Sequence, residues 1–193
     1  RSKIDSITFH KQRNMNKPSG VVQLGNKVIR SKAKNVSSVN NPKVQEVIRG
    51  LVSVMRERNL VGLAAPQIGV GIRIFVTEVR TTTYRKNIAQ PDELRIFVNP
   101  KMRSHSRNIV TEYEGCGSVV EAMLFGPVKR FYMVEVDALN EMGEAFLFQA
   151  NGFLARIIQH EMDHLDGIVF LDKVTDTRKL LGREEYIVLR KKK

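Results

Sequence analysis

Two histidines, His160 and His164, stand four residues apart in the stretch QHEMDH, with Glu161 beside the first. On a helix, positions i and i+4 share one face a turn apart, so both imidazoles can present a ring nitrogen to a single ion. Glu161 is rotated by about 100° from His160. That is too far round to share the ion, yet close enough to reach a water held there. The flanking ARII and IVF are apolar, so the helix is expected to be buried, where two histidines and a carboxylate are costly without partners. This stretch therefore demands a core helix, a metal ion and another ligand from elsewhere in the chain.

Downstream of His164 no such ligand presents itself. A third histidine in the spacing of the longer HExxHxxGxxH motif falls on Phe170, although Gly167 sits at the matching glycine. Glu184 and Glu185 lie in a charged tail without helical framing. Upstream, Cys116 is the single cysteine, set between Gly115 and Gly117, where the backbone can approach closely. A thiolate with two imidazoles gives three protein ligands and leaves a fourth position open, the mark of a catalytic site. His105 is the alternative fourth ligand, which would close a structural site. In the basic turn MRSHSR it is more simply solvent-exposed. One cysteine permits no intrachain disulfide, as in a reducing compartment.

Around the metal helix, 193 residues fit one globular unit. Asn41-Pro42 and the helical spacing of Val44, Val47, Ile48, Leu51, Val54 and Met55 predict a helix over 42–58. Strands are expected at 72–79 and 94–98, another in VTEYEGCGSVV, and a hairpin from FYMVEVDAL through NEMG to EAFLFQA. Asn151-Gly152 starts the metal helix and Gly167 stops it. The tail from 173 reads as helix or edge strand. The class is α+β: antiparallel sheets packed around a central metal-bearing helix, with a second helix before a glycine-rich loop. The expected organisation is a basic arm over 1–40, a catalytic domain over 41–172 and a C-terminal extension over 173–193.

The net charge of +12 is concentrated at the ends. Residues 1–34 carry nine Lys/Arg against one Asp and residues 190–193 are all basic, while residues 35–189 balance at 19 of each sign. The body is thus not a basic nucleic-acid surface, but the ends favour an anionic partner such as ribosomal RNA or a lipid surface. No apolar run approaches the roughly 20 residues needed to span a bilayer. The chain begins RSKIDS without an initiator methionine, as expected of a processed or trimmed product.

Three segments in order, VGLAAPQIG, EGCGS and QHEMDH, resemble the three motifs of the peptide deformylases, and the similarity runs over about 41–172. The resemblance implies hydrolysis of the formyl group from the initiating formylmethionine of nascent peptides, with one divalent ion, Fe2+ or Zn2+, on Cys116, His160 and His164. Such an ion lowers the pKa of its water toward roughly 7, and Glu161 would carry the water proton to the departing amine. By resemblance the oxyanion donors are the Gln67 side-chain amide and the Gly117 backbone N–H, in place before charge develops. Val61 and Gly62 would pair with the peptide by backbone, Phe153 and Ile157 would wall the methionine pocket, and Glu114 would pair with Arg130.

The sequence departs from the family pattern at Leu60, where GxGxAAxQ begins with glycine, at Gly117, where leucine usually follows the cysteine, and in VVEAMLFGPVKR. Gly117 deletes a pocket wall on this reading, which predicts altered preference at P1′ or P2′. The departures resemble the organellar, eukaryotic branch, and with the basic ends they lead to the expectation of a mitochondrial protein. Two other classes fit less of the pattern: another metallohydrolase, or a silent ribosome-associated binding protein.

Overall fold

The computed structural model describes residues 20–86 and 88–192; residues 1–19 of the expected basic arm, and Lys193 of the basic end, lie outside them. Helix α1, Pro42–Glu57, begins where expected: the Asn41 side chain accepts from the Lys43 amide and proline occupies the first turn, where its missing N–H costs nothing. Its buried stripe is Ile48, Leu51, Val54 and Met55.

Strands β1 (Gly62–Ala64), β2 (Ile74–Val79), β3 (Asp92–His105), β6 (Met133–Leu139) and β7 (Ala145–Asn151) form one antiparallel sheet in the order β1-β2-β3-β6-β7. The near-continuous apolar run of β2 has a direct cause, since both faces of this part of the sheet are covered. Ile74 and Val76 pack with the α1 stripe, while Phe75 turns to the opposite core with Phe97, its ring stacked at 4.5 Å between centroids. That second core is closed by helix α2, Gly152–Leu165, through Ala155, Ile158, Met162 and Leu165. Its end is set by Gly167, whose φ of +77° is costly for residues with a Cβ.

A smaller sheet, β4 (Ile109–Gly115), β5 (Leu124–Phe131) and the two-residue β8 (Leu181–Gly182), pairs in the order β4-β5-β8. It carries a third core of Ile29, Cys116, Val119, Val128, Val169 and Phe170. The tail resolves into both alternatives: β8 pairs at an edge, and helix α3, Arg183–Lys191, follows it. Residues 20–40 wrap on the body with little regular structure, holding Ile29, Ala33, Val36 and Val39 buried.

Several expected boundaries shift: the strand expected in VTEYEGCGSVV ends at Gly115, and the hairpin strand expected from Phe131 begins at Met133. The strand expected to stop at Val98 continues to His105, because Asn99 takes φ +52° and a bulge carries the ladder past Pro100. Asn99 is itself held by its side chain, which accepts from the Val36 amide and donates to the Val36 carbonyl, both at 2.8 Å. The segment MLFGPVKR, left unassigned by sequence, supplies most of β5, which pairs with β4 over Phe125–Phe131 and with β8 at Leu124 and Phe125.

Candidate metal centre

The metal helix and the small sheet meet at the three expected ligands. Cys116 directly follows β4, and Gly115 before it is required by packing, since a Cβ there would stand 2.5 Å from the Phe125 ring. One donor atom each from Cys116, His160 and His164 lies within 4.8 Å of the others. Cys116 Sγ is 3.2 Å from His164 Nε2. His105, the alternative fourth ligand, is not part of this group: it is exposed on β3 and stacks on Phe131 at 3.6 Å.

The donor set fits a divalent ion. A thiolate and two imidazoles suit zinc or iron, and Glu161 Oε2 beside them is a buried polar atom with no protein partner. His160 Nδ1 rests 2.9 Å from Glu114 Oε2, which orients the ring and leaves Nε2 for the ion. Burial pushes both histidines toward the neutral, ligating form, and in His164 it wins, holding the pKa well below the usual value. In His160 burial is outweighed by hydrogen bonds to Cys116 and Glu114, which hold its pKa well above the usual value.

Glu114 anchors this arrangement. It accepts from Arg130 Nε and Nη2, both at 2.9 Å, and from Arg156 Nη1 at 2.7 Å. Burial pushes its carboxyl up, but the bonds from Arg130 and His160 prevail and hold it far below the usual carboxylate range. Arg130 also pairs with Asp163, the acid inside QHEMDH. Thus the Glu114–Arg130 pair expected from sequence is present, and Arg156, which the sequence reading did not single out, completes it. The one signal was an arginine in the otherwise apolar FLARII.

Glu161 is buried at 4% exposure, and burial raises its pKa to about 7. It presses against Gly62, where a Cβ would meet Glu161 Oε1 at 2.5 Å and Ile157 Cγ2 at 2.7 Å. Gly62 lies on β1, an edge strand of the large sheet. The Val61 carbonyl is occupied by the Glu78 amide at 2.9 Å, so by ladder alternation the groups facing the open edge are those of Gly62. Phe153, one turn before Ile157, sits on the rim with the Arg85 guanidinium 4.7 Å above its ring. Gln67 is buried; its Oε1 accepts from the Ala64 amide at 2.8 Å, and its Nε2 is aimed at Cys116 Sγ at 3.5 Å and Ser118 Oγ at 3.3 Å.

The chain as a whole is similar to known proteins. Residues 18–180 match the family model described as polypeptide deformylase. The chain belongs to the peptide deformylase family. A mitochondrial peptide deformylase of Homo sapiens is 40% identical over 166 residues, covering 81% of this chain and 68% of the human one. Peptide deformylase 2 of a Nostoc species is 36% identical and covers 86% and 91%. The fold superposes on a Met-Ala-Ser-bound class I type b peptide deformylase from Acinetobacter baumannii with a TM-score of 0.75 at 31% identity, covering 82% of this chain and all of that one. An actinonin complex of the Synechococcus elongatus enzyme gives 0.72 at 31%, over 88% and 86%.

Within this deformylase the two departures from the motif pattern touch each other. A Cβ placed on Gly117 would stand 3.3 Å from Leu60 Cδ1 and 3.6 Å from Val21 Cγ1. The space beside the metal loop is therefore not vacated by the glycine. The Leu60 side chain leans into it from the β1 approach.

Proposed function

We propose that this deformylase hydrolyses the formyl amide of N-terminal formylmethionine through Cys116, His160 and His164 as metal ligands and Glu161 as proton carrier. The observation that carries this reading is the joint placement of the ligand triad, buried Glu161 and the open β1 edge at Gly62. Its relatives bear the deformylase name, and one neighbour holds Met-Ala-Ser, a peptide with the methionine end such a reaction leaves.

A divalent ion on the three ligands supplies Lewis acidity and lowers the pKa of water toward roughly 7. The peptide pairs as an added strand with Gly62, and its methionine side chain lies between Phe153 and Ile157. As the formyl carbon becomes tetrahedral, its oxygen receives the Gln67 Nε2 and Gly117 N–H donors. Glu161, with a pKa of about 7, takes the proton of the attacking water and delivers it to the amine nitrogen as the C–N bond breaks. The products are formate and a free methionine amine.

Replacing Glu161 by Gln tests this: kcat on formyl-Met-Ala is expected to fall by about 10²–10⁴ with metal content unchanged. Undiminished turnover overturns the role of Glu161. The donor set accepts either Fe2+ or Zn2+, and metal analysis of anaerobically purified protein decides between them. A mitochondrial location is supported by the human relative and by the basic ends; imaging of the tagged full-length protein outside mitochondria overturns it. Exposed Lys191 and Lys192 support docking to ribosomal RNA; salt-insensitive ribosome binding speaks against that contact.

A further inference from the structure

We propose that Val21–Leu24 is a clamp that sets the position of the two oxyanion donors, with Gln23 as its positioning residue; this rests on the deformylase reading above. Four residues of irregular backbone tie together two loops that no strand pairing joins. The Val22 amide donates to the Gln67 carbonyl at 2.7 Å and the Leu24 amide to the Ser118 carbonyl at 2.7 Å. Between them the Gln23 side chain uses both of its ends. Its Nε2 donates to the Gly117 carbonyl at 2.8 Å and to the Val21 carbonyl at 3.0 Å, and its Oε1 accepts from the Glu121 amide at 3.1 Å.

The need for a clamp is visible in the loop it holds. Gly117 has no side chain to pack, so its torsions are restrained only by what grips its peptide groups. Three positions on, Val120, Glu121 and Ala122 take φ of +46°, +49° and +58°, three consecutive left-handed residues with a Cβ. Each costs about 1–2 kcal/mol, and Val120 is β-branched, the least tolerant kind. Such strain persists only where the surroundings over-determine it. The Gln23 bond to the middle residue of that turn, and the bond to Gly117 on its other side, supply part of this restraint. By holding the Gly117 carbonyl and the Glu121 amide, Gln23 restrains the Gly117 torsions on which the direction of its N–H depends, and through Val22 the clamp holds the loop that carries Gln67.

The test uses the metal-loaded full chain with Gln23→Ala and Gln23→Met, the second keeping the side-chain length without its hydrogen bonds. Expected are a ten- to hundredfold fall in kcat on formyl-Met-Ala, KM within about twofold of wild type, unchanged metal content, and faster amide exchange across 116–122. A kcat that is unchanged per metal-loaded chain, or that falls only in step with lost metal, overturns the clamp. Exchange needs no turnover, so it separates the two readings. Unaltered exchange at 116–122 in both variants overturns the clamp whatever the activity, whereas a wild type inactive on formyl-Met-Ala overturns the deformylase reading alone.

Discussion

Glu114 receives hydrogen bonds from Arg130 and Arg156 and holds His160 by Nδ1, so one carboxylate from β4 fixes β5 and the metal helix together. Both guanidiniums are buried, at 4% and 7% exposure. Replacing Glu114 by Gln leaves Arg156 without its carboxylate and Arg130 with Asp163 alone, and loss of one partner of a buried pair costs about 3–5 kcal/mol. At about 2–4 °C per kcal/mol for a chain of this size, calorimetry should show Tm lower by about 6–20 °C. The sign of the pH dependence follows from the depressed carboxyl. Its contribution is complete above the unfolded pKa of about 4.3 and fades as pH falls further toward the folded value. The Tm gap between wild type and variant should therefore narrow as pH falls below about 4. A gap that widens below about pH 4 contradicts the assignment. At this scale the sequence was legible where ligands share a helix, as His160 and His164 do. It was silent on Arg156, because its partner lies 42 positions away and an arginine among apolar residues carries no sign of what it meets.

Among the elements, the metal loop and the β1 approach exchange bulk. Leu60 Cδ1 lies 3.3 Å from where a Gly117 side chain would begin, so Gly117→Leu crowds Leu60 and should destabilise by about 1–3 kcal/mol. Leu60→Gly should cost stability too, through lost packing and added chain freedom. In the double variant the new leucine enters space that Leu60 has left. Denaturant unfolding of the four proteins should therefore give a coupling energy of about 1 kcal/mol or more in the compensating sense; additive effects would show that the two side chains do not share that space. Sequence reading named both positions as departures yet treated each alone, since Leu60 and Gly117 are far apart in the chain. The same limit explains β5. Gly126 and Pro127 are poor strand formers, but Pro127 stands opposite Tyr113 in the ladder, and a Cβ on Gly126 would come within 2.8 Å of Leu180 and Val174. A locally strand-breaking pair is placed there by its neighbours.

Across the whole molecule the site joins two bodies of structure. Cys116 comes from the loop after β4 of the small sheet, while His160 and His164 ride on α2, whose other residues pack against the large sheet. An ion on these three atoms is thus a cross-link between the two sheets, and its binding free energy enters the folding free energy of both. Binding to the native state alone stabilises by about 4 kcal/mol when free metal is a thousandfold above its Kd. For a chain of this length that corresponds to about 8–16 °C in Tm. Removing the ion with a chelator should lower Tm by that order, and restoring either Fe2+ or Zn2+ should recover it. Cys116→Ser should lower the holo Tm toward the apo value, because the small-sheet end of the link is weakened while both histidines remain. If chelation abolished activity but left Tm unmoved in scanning calorimetry, the ion would be held no more tightly by the native chain than by the unfolded one, and it would not cross-link the two sheets.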